Sequence, residues 1–428
     1  MILEDMSYSV SYGKEKITFN IPENFSLNIV ETKFVSPVKD VYEKTRHSIM
    51  HPINSPSLSN LVKDKNSVCI VVTDITRNCP DKDLLIPILE ILEKEIKKEN
   101  ITILIASGMH KKMNYDEKVE KYGKSICDKY KIIDHDATDD SVLVSIGKIK
   151  DGNPVKISKF ALESDFLISL GVVEPHQFAG YSGGYKTVSI GIADDYTISR
   201  THSASVLKKS KIKVGQIDGN PIQEEIIEIG KKTGLNFIVN VVLGNNNEVL
   251  EIESGEPIET HKILIKKTKN IYETPLKKSY NVVICGVGYP RDSNLYQVTR
   301  AASYLYFASK PIINYGGYII IPAPCPEGAG TGIGEQRFFS MLKNKTIDEI
   351  LNMNEEFKAG EQRSYFIAQV LKNCKIIIVG CKMPEIIKEA KMIPATDMEE
   401  AFNIVKNDFN KTEVLLVPNA LSTLPIIQ

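Results

Sequence analysis

The sequence predicts an α/β protein: two α/β domains with mostly parallel sheets and an active-site cleft between them. Three observations predict it. Short β-branched runs (SVCIVVTD at 67–74, ITILIA at 101–106, DFLISL at 165–170, NFIVNVVL at 236–243) recur at intervals long enough to hold helices. Strands alternating with helices mark βαβ units around a parallel sheet. The same rhythm restarts after Pro275, with YNVVICG at 280–286 and GYIIIPA at 317–323. Several of these runs also empty into loops bearing Gly, His, Arg or Lys, and ligands of α/β proteins bind at the carboxyl ends of strands.

In chain order, residues 7–33 alternate apolar and polar and predict two or three antiparallel strands, with turns at Gly13 and Pro22–Glu23. Residues 38–64 read as two helices, the second started by Ser55-Pro56. After the strand at 67–74, apolar residues at 84, 88, 92 and 96 give the four-residue spacing of an amphipathic helix. A helix over 115–129 and a strand over 130–134 follow the strand at 101–106. Asn220-Pro221 predicts a helix over 221–233, because proline suits a first helical turn. A Lys-rich helical stretch over 256–275 ends near Pro275. The boundary is placed there. Residues 1–275 are the expected N-terminal domain with the reactive groups, and 276–428 a smaller domain closing the cleft, its last strand a candidate to return to the first domain. A helix over 294–308, the Gly/Pro-rich loop PAPCPEGAGTGIGEQRF and strands at 375–380 and 413–418 complete the second domain.

Composition excludes several function classes. Lys+Arg number 53 against 54 Asp+Glu, a net charge of −1, which argues against a general nucleic-acid binder. No apolar run approaches the roughly 18–20 residues that span a bilayer. The N-terminus has no basic region followed by an apolar core, so a cytoplasmic protein is expected. The seven cysteines form no CxxC pair, which disfavours a zinc ribbon or a disulfide framework.

The chain is organised around Gly171–Ser203, GVVEPHQFAGYSGGYKTVSIGIADDYTISRTHS. Together with two other strand ends it gathers the reactive residue types: Asp74-Ile75-Thr76-Arg77, Gly108-Met109-His110, Pro175-His176, and Lys186 with His202. A lone histidine is more often a satisfied structural residue, and Thr-Arg after a strand is often an N-cap with a solvated arginine. The conjunction carries more, because a common sheet edge brings these ends into one crevice. Arg binds carboxylate bidentately. Histidines serve as general bases or metal ligands. A lysine beside a glycine-rich turn, here Lys186 after Gly183 and Gly184, binds phosphate or bonds covalently to a cofactor. A P-loop is excluded. GxxxxGK[ST] needs glycine before its lysine, and Tyr185 stands there. The remaining histidines, 47, 51, 135 and 261, sit in helical or polar surroundings and read as structural.

The segments DITR (74–77), GMH (108–110), EPHQFAGYSGGYKTVSIGIA (174–193) and TH (201–202) resemble the lactate racemase family, nickel-dependent 2-hydroxyacid racemases and epimerases that carry a nickel-pincer nucleotide. The order fits across nearly the whole chain, and Asn294-Leu-Tyr-Gln297 resembles the family's second-domain segment. The resemblance implies roles residue by residue. Lys186 matches the lysine joined to the cofactor, and His202 the nickel ligand. His110 and His176 match the acid/base pair, and Arg77 the arginine on the substrate carboxylate. Asp74, Thr76, Gly183, Gly184 and Gln297 fall near the cofactor. Arg300 stands where the prototype has a lysine, keeping a cation of different geometry. Asn78 stands where proline is expected. The implied partners are a small 2-hydroxyacid and the cofactor-synthesis proteins, with neither nucleic acid nor membrane. The implied route is reversible hydride transfer from Cα while a histidine takes the hydroxyl proton, through a flat 2-keto acid. Two other readings of the same residues stay open: a zinc-dependent hydrolase or lyase using His110, His176 and His202, and a non-catalytic binder of a hydroxyacid or nucleotide.

Overall fold

The computed structural model describes residues 7–201, 206, 212–308, 310–353, 357–358 and 360–428. The chain forms two α/β units, each with a six-stranded sheet. One unit holds residues 34–201 and 216–271; the other holds the described residues of 1–33, 202–215 and 272–428.

In the first unit the strands lie in the order Val249–Gly255, Phe237–Leu243, Phe166–Val172, Val68–Thr73, Ile101–Ala106, Lys131–Asp134. All neighbours are parallel except the edge pair of Val249–Gly255 with Phe237–Leu243. Every residue of Val68–Thr73 and of Phe237–Leu243 is buried, as expected of strands covered on both faces. From Val68–Thr73 the chain builds outward through Ile101–Ala106 and Lys131–Asp134, then returns to add Phe166–Val172 on the other side. The strand order therefore reverses between Val68–Thr73 and Phe166–Val172, and the loops leaving these two strands flank the crevice where open α/β sheets bind ligands.

Local chemistry sets the helices. Asp81–Leu92 carries Asp81 and Asp83 in its first turn, where the helix dipole favours carboxylates. Pro221–Thr233 has Asn220 accepting from the Ile222 and Gln223 amides, and ends on Gly234 in the left-handed region. The expected helix over 115–129 is two helices, Tyr115–Tyr122 and Lys124–Lys129, broken at Gly123.

The second unit has an all-parallel sheet in the order Ile393–Ala395, Lys375–Val379, Ile313–Pro322, Tyr280–Cys285, Thr412–Val417, Phe25–Ile29. This corrects the expected boundary. Residues 1–275 do not form one domain, because Phe25–Ile29 pairs in parallel with Thr412–Val417, while Tyr8–Tyr12 and Glu15–Phe19 form a hairpin. Val10, Phe19 and Phe25 join the core containing Phe402 and Val414. At the chain end, Leu424–Ile427 pairs in parallel with Glu273–Leu276, and both strands lie in this second unit. Among the described residues, no helix is long and apolar enough to cross a membrane.

Candidate active site

The loop after Val68–Thr73 supplies the centre of the site. Asp74 is buried at 3% exposure and uses both carboxylate oxygens. Oδ1 accepts from the Thr76 amide at 3.0 Å and the Thr76 hydroxyl at 2.6 Å, which fixes a tight turn. Oδ2 lies 2.6 Å from Nδ1 of His110, on the loop after the adjacent strand Ile101–Ala106. Burial pushes the Asp74 carboxyl upward. The hydrogen bond from His110, the charges of His110 and Arg77 and the Thr76 hydroxyl outweigh it, leaving a pKa of about 2. The carboxylate is ionised, so His110 donates through Nδ1 and keeps its Nε2 lone pair as acceptor. The His110 side chain is 45% exposed, open to an incoming molecule.

Arg77 is exposed and donates to the Thr76 hydroxyl at 3.0 Å. Its backbone is pinned by a residue that sequence reasoning passed over. Lys121 Nζ donates to the carbonyl oxygens of Arg77 at 2.5 Å and Cys79 at 2.7 Å, and pairs with Asp81 at 3.0 Å. Asp81 is fully buried and accepts from the Thr73 hydroxyl and amide. A lysine 44 residues along the chain from Arg77 carries no local signal of this contact.

The connection after Phe166–Val172 carries His176 and Lys186. Pro175–His176 pairs with Gly180–Tyr181 in a tight hairpin. His176 Nδ1 accepts from the Phe178 and Ala179 amides, each at 3.2 Å, which places its neutral-state proton on Nε2. Its ring meets Phe178 edge-on, with centroids 5.7 Å apart.

Gly183 and Gly184 have φ of +78° and +57°, values that side-chain-bearing residues rarely adopt. A Cβ on Gly183 would lie 2.6 Å from Val173 Cγ2, and one on Gly184 2.6 Å from His261 Nδ1. These glycines thus answer to the protein's own packing. The Gly184 amide donates to Asn240 Oδ1 at 2.7 Å. His261, read from the sequence as structural, is buried and donates through Nε2 to the Ser182 carbonyl at 2.8 Å. Burial lowers its pKa to about 4, so it is a neutral strut under the turn. Lys186 opens the short helix Lys186–Ser189, half-buried, its amide bonded to the Gly183 carbonyl. A half-buried amine at the end of a rigid turn fits a covalently attached cofactor. Close by, Asn240 Nδ2 is a buried donor without an acceptor among the described residues.

The structure therefore joins Asp74, Thr76, Arg77 and His110 by direct hydrogen bonds, and sets His176 and Lys186 on the connection from the neighbouring strand. His202 lies outside the described residues. Gln297 and Arg300 belong to the second unit, on helix Leu295–Tyr306, which Asn294 caps by accepting from the Gln297 amide at 3.0 Å. Arg300 donates to the Tyr304 hydroxyl at 3.2 Å.

Family models, curated proteins and solved structures match the chain over nearly its whole length. The family model described as lactate racemase N-terminal domain matches residues 12–215, and that described as lactate racemase C-terminal domain matches 276–424. Lactate racemase of Thermoanaerobacterium thermosaccharolyticum is 29% identical over 422 residues, covering 97% of this chain and 98% of that protein. Lactate racemase of Lactiplantibacillus plantarum is 29% identical over 429 residues, covering 98% and 99%. The structure of the Thermoanaerobacterium lactate racemase apoprotein superposes with a TM-score of 0.90 at 28% identity, over 99% of this chain and 100% of that one. A crystal structure of a Thermotoga maritima protein, 18% identical with a TM-score of 0.69, shares the fold.

Proposed function

The chain belongs to the lactate racemase family, and from that premise we propose that it inverts Cα of a lactate-like 2-hydroxyacid, using a nickel-pincer nucleotide held by Lys186. The observation that carries this reading is the pair of histidines set in opposite states. They follow the strands on either side of Val68–Thr73. His110, donating to Asp74 through Nδ1, offers Nε2 as a base. His176, accepting two amides at Nδ1, carries its proton on Nε2 and presents it as a hydrogen-bond donor to a substrate oxygen. A racemase meets substrate of both hands and needs proton exchange with each.

When bound, the nucleotide supplies the hydride acceptor that no side chain provides, and a histidine alone removes a hydroxyacid Cα proton poorly. The chain's own residues do the rest. Arg77 presents a guanidinium fork to the substrate carboxylate. His110 takes the hydroxyl proton of one enantiomer, and the Asp74 carboxylate stabilises the imidazolium so formed. His176 serves the other enantiomer. Lys186 is the attachment point and His202 the nickel ligand. Asp74, Thr76, Gly183 and Gly184 are the candidate cofactor contacts of the first unit; Gln297 and Arg300, in the second unit, are the contacts to cofactor and acid that the family resemblance implies.

The test uses protein produced together with the cofactor-synthesis proteins. Intact-mass and metal analysis should give an increment mapped to Lys186 together with nickel. Chiral chromatography should then show single-enantiomer lactate, or a close 2-hydroxyacid, becoming racemic. Lys186→Ala should lose both increment and turnover. An unmodified chain that binds zinc despite those partners would replace this reading with hydrolase or lyase chemistry.

A further inference from the structure

The second unit contains a buried cation without a counter-charge among the described residues. Arg363 lies in helix Glu361–Asn373 and is 9% exposed. Its guanidinium stacks over the Tyr296 ring, with Cζ 4.3 Å from the centroid, and Tyr296 is also its side-chain hydrogen-bond partner. Even so, Nε and Nη1 are buried and have no acceptor among the described residues. Tyr296 and Arg300 sit on helix Leu295–Tyr306, which packs against the Arg363 helix. Burial and the like charge of Arg300 both work against the charged form of Arg363; the opposing influences come from Tyr296 and Tyr304, which are phenols and not carboxylates. The acid beside it, Glu361, accepts from the Lys358 amide at 2.8 Å.

The chain treats its other buried arginine differently. Arg200, 7% exposed, pairs bidentately with the Glu225 carboxylate. A buried guanidinium left with open donors is costly, and arginine stays charged at any pH a protein meets. The fork of Arg363 is therefore incomplete as it stands, and its geometry matches one class of ligand, a planar or tetrahedral oxyanion.

We propose that the second unit carries an oxyanion-binding site on Arg363, with Tyr296 as the platform that orients the fork and Arg300 as a second cation, taking a carboxylate or phosphate group. This site shares Arg300 with the proposed hydroxyacid reading, centres on a residue outside it, Arg363, and needs neither bound cofactor nor turnover. A carboxylate source is a small organic acid; a phosphate source is a nucleotide.

The experiment is isothermal titration of the full chain with succinate and with inorganic phosphate, at constant ionic strength set by chloride, with thermal unfolding in parallel. The wild type should bind at least one probe and unfold at higher temperature with it, and the tighter probe names the group. Arg363→Met should weaken that binding at least tenfold, while unfolding no lower than wild type when anion is absent, because it removes an uncompensated buried charge. Arg363→Lys keeps the charge but not the fork and should fall between. Failure of both probes to bind wild type, or unchanged binding by both variants, would overturn the proposal. So would an Arg363→Met protein that unfolds several degrees lower without anion, since that marks an arginine already compensated within the fold.

Discussion

Asp74 Oδ2 lies 2.6 Å from His110 Nδ1, and this contact ties together the loops leaving two adjacent parallel strands. It makes Asp74 a positioning residue: it selects the tautomer in which His110 Nε2 is the base. Asp74→Asn reverses that choice, because an amide donates toward Nδ1 as readily as it accepts. In cofactor-loaded protein the turnover number should fall by about two orders of magnitude, within the range of general-base catalysis, while the increment on Lys186 and the nickel content stay unchanged. Parallel loss of the increment would show that Asp74 holds the cofactor instead.

The depressed pKa of Asp74 has its own signature. Its folded value of about 2 lies below the unfolded value, so its contribution is fully present above the unfolded pKa of about 3.9 and is lost as pH falls toward 2. Comparing urea unfolding of wild type and Asp74→Asn should show a stability difference that narrows only below about pH 4.

His261 titrates in the opposite chemical sense but with the same direction of loss. Its folded pKa of about 4 is below the ordinary histidine value, because burial disfavours the imidazolium. The unfolded chain takes up a proton near pH 6.5 and the folded one does not, so stability is full above about 6.5 and declines toward pH 4, by roughly 3 kcal/mol in all. His261→Gln keeps a donor for the Ser182 carbonyl but does not titrate. Its stability should change less than that of wild type between pH 7 and 5, and equal slopes would remove His261 from the account.

Gly184→Ala and Gly234→Ala separate backbone strain from collision. Both positions have positive φ, +57° and +79°, and both pay the left-handed penalty of about 1–2 kcal/mol. Gly234 has open space where a Cβ would go, whereas Gly184 faces the His261 ring. The Ala variant at 184 should be the more destabilised by at least about 1 kcal/mol in denaturant unfolding, and its turn should show faster amide exchange.

Lys121→Met leaves the fully buried Asp81 carboxylate without its cation and should cost about 3–5 kcal/mol of stability. Adding Asp81→Asn removes the orphaned charge and should restore a large part of the loss. A double variant no more stable than the single one would mean that Lys121 acts through the Arg77 and Cys79 carbonyls alone.

The central strands were legible in the sequence because burial on both faces leaves an unbroken β-branched run, as in Val68–Thr73. Asn220-Pro221 announced its helix because capping chemistry is local. The pairing of Phe25–Ile29 with Thr412–Val417 was not legible, since nothing in either segment names so distant a neighbour. The short antiparallel pair Leu143–Lys148 and Pro154–Ser158 was missed because both strands are short and the first is largely exposed and weakly patterned. Asp74, Thr76, Arg77 and His110 could be read as motifs. Lys121, Asp81, Asn240 and His261, which hold the loops in shape, could not, because each acts from another element.

The strand pairing of Phe25–Ile29 with Thr412–Val417 also sets an order of events during synthesis. Thr412 follows Ile29 by about 380 residues, which at roughly 5–20 residues per second is about 20–80 s of translation. Over that interval the unit spanning 34–271 emerges entire and can close on itself, while the strand that precedes it waits beside the ribosome with Phe19 and Phe25 uncovered. A nascent chain arrested before Val417 should therefore hold one finished body and one open sheet edge, the form on which a chaperone would act.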